Sequence, residues 1–146
     1  HFSLHDAFRS YEHETGTDQV QGGATTAVIA SISSGDFDIT QRVIRGTQSG
    51  MPDLRGDGEF MMKIRRFIPD FISQTGNTQV TLQLRNYPND SQASSSLGPF
   101  TVSSSTQKVD TRARARAIAV KIANTAASQS WKLGTFRLDI QPDGRR

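Results

Sequence analysis

The sequence predicts an all-β protein: an antiparallel β-sandwich, jelly-roll or immunoglobulin-like, with seven or eight strands and an N-terminal arm. Three observations lead there. Apolar residues recur at every second position in several runs, which is the period of a half-buried strand. Gly, Pro, Asp, Asn and Ser interrupt those runs at intervals of about ten residues, the spacing of strands joined by tight turns. The charged residues are skewed, with 13 Arg against 4 Lys and 11 Asp against 3 Glu. Lys and Glu are the residues that surface helices favour, and they are the scarce ones.

The chain has 146 residues, enough for one domain with a proper core. The expected division is an arm or joint over residues 1–23 and a sandwich over 24–146. There is no cysteine, which excludes disulfides and thiolate metal sites and leaves the compartment open. No apolar run approaches the roughly 20 residues that span a bilayer. Nothing resembles a signal peptide, and no membrane partner is expected. The net charge of +3 is mild for a dedicated nucleic-acid binder.

In the arm, Leu4, Phe8 and Tyr11 recur at the spacing of a short helical segment. His5, Glu12, His13 and Glu14 offer metal-ligand chemistry, but their spacing is not that of HExxH, and a surface arm accounts for them better. Gln21-Gly22-Gly23 reads as a flexible joint. Over residues 24–40, Val28, Ala30 and Ile32 set one face and Ile29 the other. Ser33-Ser34-Gly35-Asp36 is a turn, and Phe37 with Ile39 opens another run, so the segment is a hairpin or one bent strand.

Residues 41–58 read as a loop with a short strand at 42–44, broken by Gly46, Gly50, Pro52, Gly56 and Gly58. Arg55-Gly56-Asp57 spells the tripeptide that integrins read. Asp53, Asp57 and Glu59 supply carboxylates without the EF-hand spacing. Ordinary turn chemistry explains both better.

Phe60, Met62 and Ile64 then alternate with Met61, Lys63 and Arg65 until Pro69, which cannot donate to a ladder. The clearest strand is 78–87, with Val80, Leu82 and Leu84 facing one way and Thr81, Gln83 and Arg85 the other. Pro88-Asn89-Asp90 turns the chain. A polar loop over 89–98 ends in Gly98-Pro99, Phe100 and Val102 open a short strand, and residues 103–106 form another turn.

The last third, residues 108–146, organises the rest. Its first period-2 run sets Ile118, Val120 and Ile122 on one side and Ala113, Ala115, Ala117 and Ala119 on the other. A small-polar turn over 124–130 leads to Trp131. A second run sets Phe136, Leu138 and Ile140 opposite Arg137 and Asp139. Gly134 lies where the apolar phase slips from odd to even, the mark of a β-bulge. Residues 112–127 contain no Gly or Pro, and Ala and Arg are good helix formers, so a helix is the rival reading. The β-branched residues recur every two positions rather than every three or four, which favours a strand.

No motif assembles an active site. There is no Gly-x-Ser-x-Gly, no phosphate-binding glycine loop and no cluster of His with carboxylates. Neither an enzyme nor a cofactor is expected. Arg112, Arg114 and Arg116 would project from one face of a strand about 7 Å apart, close to the phosphate spacing of a nucleic-acid strand. With Arg65, Arg66, Arg145 and Arg146 they would make a basic surface facing DNA or a protein. Edge protection by charge, or a protein interface, is the stronger account, because no aromatic interleaves to stack bases. Trp131 and Tyr87, with Tyr11, are the candidates for stacking sugar rings. They carry the alternative reading of a carbohydrate-binding module for host attachment, although Trp131 suits a core position better.

The run Thr111-Arg112-Ala113-Arg114-Ala115-Arg116, followed by Ile118-Ala119-Val120-Lys121-Ile122, resembles the end of large structural proteins in the tails of short-tailed bacteriophages. So does Trp131-Lys132-Leu133-Gly134 with the segment from Arg137 to Arg146. A weaker likeness continues upstream through Phe60–Asp70, Tyr87-Pro88 and Gly98–Val102, so that it covers about residues 35–146. The resemblance implies a virion protein, a tail nozzle or tail-tube subunit on the path DNA takes out of the capsid. Its implied partners are other tail proteins and copies of itself in a ring, with DNA passing by. Members of the group are longer, with a propeller-like or platform portion ahead of a terminal sandwich. The chain is therefore expected to correspond to that last domain or to a small relative. The resemblance implies no catalytic residues.

Overall fold

The computed structural model describes residues 16, 18–21, 23–39, 60–87 and 95–144. The expectations for residues 1–15, for the loop over 41–58, for the turn at 88–90 and for Arg145 and Arg146 lie outside them. Among the described residues every regular element is a β-strand, and all pairings are antiparallel. Eleven strands lie among the described residues, against an expectation of seven or eight: residues 112–122 divide into two strands at a corner, and a hairpin forms at the expected joint.

Strands β1 (Asp18–Gln21) and β2 (Ala24–Ala27) form a hairpin that crosses the expected boundary between arm and domain. It closes at Gly23, whose φ of +81° is a conformation glycine adopts freely. Strand β3 is Ser31–Ser33, β4 is Met62–Ile68, β5 is Phe71–Thr75, and β6 is Thr78–Arg85. Then follow β7 (Ser95–Val102), β8 (Val109–Ala115), β9 (Ala117–Ala123), β10 (Ser130–Leu133) and β11 (Arg137–Pro142). A four-stranded sheet has the order β3-β9-β6-β7 and a three-stranded sheet the order β11-β4-β8; β10 pairs with β5.

The core follows from alternation. Strand β6 is the central case: Thr78, Val80, Leu82 and Leu84 are buried, and the residues between them are half-buried. Val102 of β7 and Ile118, Val120 and Ile122 of β9 join them in one apolar cluster with Met62, Ile64 and Phe67 of β4 and Ala113 and Ala115 of β8. Each large side chain withdrawn from water in this way contributes about 1.5–3 kcal/mol. Phe67 is fully buried and ties elements together. Its ring stacks on Phe136 at 5.3 Å and meets Phe100 edge-on at 5.5 Å.

The stretch from 112 to 122 departs from the expected single strand. It is β8 and β9, in different sheets, with a break at Arg116. The Arg116 N–H donates to the Arg85 carbonyl at 3.1 Å. Odd residues are buried in β8 and Ile118, Val120 and Ile122 in β9. The phase slips by one at the corner, so both strands feed the same core instead of opposite faces. A strand that changes sheets at a bend is a recognised way of making such corners.

A second corner forms where two strands bend side by side. Strands β4 and β5 are interrupted at Pro69-Asp70, and their partners β11 and β10 at residues 134–136. The Gly134 N–H donates to the Asp70 carbonyl at 2.8 Å, and a Cβ at Gly134 would stand 3.0 Å from that oxygen. The bulge expected at Gly134 is thus a strand break, and the register shift falls one step earlier, between Lys132 and Leu133.

Two local readings also change. Gly98-Pro99, expected to end a loop, lies inside β7, an edge strand where a proline costs no ladder bond. Residues 24–39 are neither one hairpin nor one bent strand. They comprise β2, the three residues of β3 against β9, and an isolated bridge from Phe37 to Ile118. Met61 and Met62 are both buried, so alternation begins at Met62 and not at Phe60.

Candidate functional site

The outer face of the β11-β4-β8 sheet carries the charge anticipated for Arg112 and Arg114. Lys63 lies between Gln141 of β11 and Arg114 of β8. Arg66 lies between Asp139 and Asp110 and forms ion pairs with both, at 3.7 and 3.3 Å. A bulge in β4 between Ile64 and Arg66 makes the face more basic than strict alternation would. It lets the consecutive residues Arg65 and Arg66 avoid the core while Ile64 and Phe67 remain fully buried. The buried Thr111 hydroxyl donates to the Ile64 carbonyl at 3.1 Å beside this bulge.

The three expected arginines do not form one row. Arg112 and Arg114 are exposed on β8, a terminal strand of its sheet, and Arg116 sits half-buried in the corner beyond it. Arg114 is ion-paired with Asp143, and its guanidinium also reaches the Asp143 carbonyl. Arg145 and Arg146 lie outside the described residues. Sequence reasoning missed Lys63 and Arg137 as members of this face. Their signal was alternation with the buried Met62 and Ile64, and with Leu138 and Ile140. What alternation does not reveal is which strands stand side by side.

The two aromatics of the sugar-binding reading are not brought together. Trp131 pairs with Gln74 and packs half-buried against Phe71, ring centroids 6.4 Å apart. The Gln74 amide bonds Thr78, the first residue of β6. Tyr87, 69% exposed, follows the other end of that strand. An eight-residue strand is about 26 Å long, so the two rings do not share a platform.

A shallow groove of about 330 Å³ lies over the second corner, lined by Pro69, Asp70, Phe71, Gln74, Ser103 and Thr106 among others. Asp70 is its carboxylate, and that group is committed to the corner, accepting the Thr135 N–H at 3.3 Å. Among the described residues no group of three His, Cys, Asp or Glu side chains stands ready to hold a metal ion, and no helix is long and apolar enough to cross a membrane. Comparison with known proteins found no matching family model, no similar curated protein and no similar solved structure.

Proposed function

We propose that the chain is a structural component of a bacteriophage tail, nozzle- or tail-tube-like, that works by assembling with copies of itself and neighbouring tail proteins around the DNA exit path. Its described body would then be a two-layer sandwich of jelly-roll or immunoglobulin-like type, and its role non-enzymatic. The observation that carries this reading is apolar exposure. Four of the seven large hydrophobic residues exposed among the described residues, Val20, Val28, Ile29 and Ile32, fall within thirteen positions on and beside β1–β3. Apolar surface concentrated in this way is characteristic of interfaces. A second support is that the segments carrying the tail-protein resemblance, in β4, β8, β9, β10 and β11, build much of one body.

Ring closure multiplies weak contacts, so modest burial per subunit suffices. The test is the native mass by sedimentation or light scattering. The expected result is a discrete oligomer that Val20→Asp with Ile29→Asp converts to folded monomer. A chain that stays monomeric at all accessible concentrations, and alongside other tail proteins, would overturn the reading.

A further inference from the structure

We propose that the outer face of the β11-β4-β8 sheet binds the phosphate backbone of nucleic acid through Lys63, Arg65 and Arg112, without reading base sequence. The fold concentrates charge that the composition conceals. Lys63, Arg65, Arg66, Arg112, Arg114 and Arg137 meet three carboxylates here, Asp110, Asp139 and Asp143. Over the whole chain 17 basic residues meet 14 acidic ones. Those carboxylates engage Arg66 and Arg114, and Asp110 also meets Lys108 at 3.9 Å. Lys63, Arg65 and Arg112 are exposed and form no ion pair among the described residues.

Register brings cations of neighbouring strands together. Lys63 stands directly opposite Arg114, whose charge is met by Asp143, and no carboxylate is paired with Lys63 itself among the described residues. Arg65 occupies the bulge beside Arg112. The cations thus lie on neighbouring strands about 4.8 Å apart, with a repeat of about 7 Å from Arg112 to Arg114 along β8. That repeat suits the regular phosphates of a polynucleotide better than the irregular carboxylates of an acidic protein surface. Guanidinium groups grip phosphate through paired N–H donors. Among the described residues the strands of this face present no aromatic side chain on it, so bases have nothing there to stack on and the contact is confined to the backbone.

The experiment is fluorescence anisotropy with a short labelled DNA duplex, over about 50 to 200 mM salt, where each neutralised phosphate contributes about −0.9 to the logarithmic slope. The expected slope is about −2 to −3, and the combination Lys63→Gln, Arg65→Gln, Arg112→Gln should abolish most of it and weaken binding at least about tenfold at low salt. Lys121→Gln with Lys132→Gln, on β9 and β10 outside this sheet, should change little. No binding at low salt, equal loss in both sets, or equally tight binding of polyglutamate would each overturn the proposal. Arg112→Gln alone, expected to remove about one unit of slope, serves if the triple variant melts early. A protein that assembles but ignores DNA defeats this inference and leaves the assembly reading standing, and a DNA-binding monomer does the reverse.

Discussion

Asn124 uses both ends of its amide on one stretch of backbone. Its nitrogen donates to the Val28 carbonyl at 2.9 Å, its oxygen accepts the Ala30 N–H at 2.6 Å, and it is 2% exposed. Removing the side chain orphans a donor and an acceptor, so Asn124→Ala should lose about 1–3 kcal/mol in urea unfolding. In the sequence Asn124 opens a small-polar turn and looks solvated. Its partners are more than ninety positions away, and no local pattern encodes such a contact. Gly98 is the other residue whose neighbours settle its identity. Its φ is +115°, and a Cβ there would meet the Val80 carbonyl at 2.8 Å. Gly98→Ala should therefore cost about 1–3 kcal/mol, read by the same unfolding experiment.

Among the elements, β6 was the most legible, because it lies between β7 and β9 and its alternation runs unbroken from Thr78 to Arg85. The run from Arg112 to Ile122 was legible as strand but not as two strands. Period-2 spacing reports which residues share a face and is silent about which sheet owns the face. The phase slip from odd alanines to even isoleucines was the available sign, and it resembles an ordinary two-faced strand until the partners β4 and β6 are known. Phe67 shows how much rests on such pairings. It belongs to β4, yet its ring packs on Phe100 of β7 and on Phe136 before β11. Phe67→Ala should lose about 3–5 kcal/mol, seen as an early thermal transition. Exposed ion pairs such as Arg114 with Asp143 contribute far less, about 0–1 kcal/mol.

For the whole molecule, the all-β class was readable from composition and period alone. The candidate surface was readable only in part. Arg112 and Arg114 announced themselves by repetition, whereas Lys63 and Arg65 join them through register and a bulge that a linear reading does not contain. The net charge of +3 is an average over the chain and carries no record of where charge collects. The corner at Arg116 has a mechanical consequence. The main chain passes from one sheet to the other within a single residue, so the two sheets share a covalent crease. Shifting one sheet against the other at that corner would strain main-chain bonds as well as displace side chains. The crease therefore couples the two sheets through main-chain bonds as well as through the side chains packed between them.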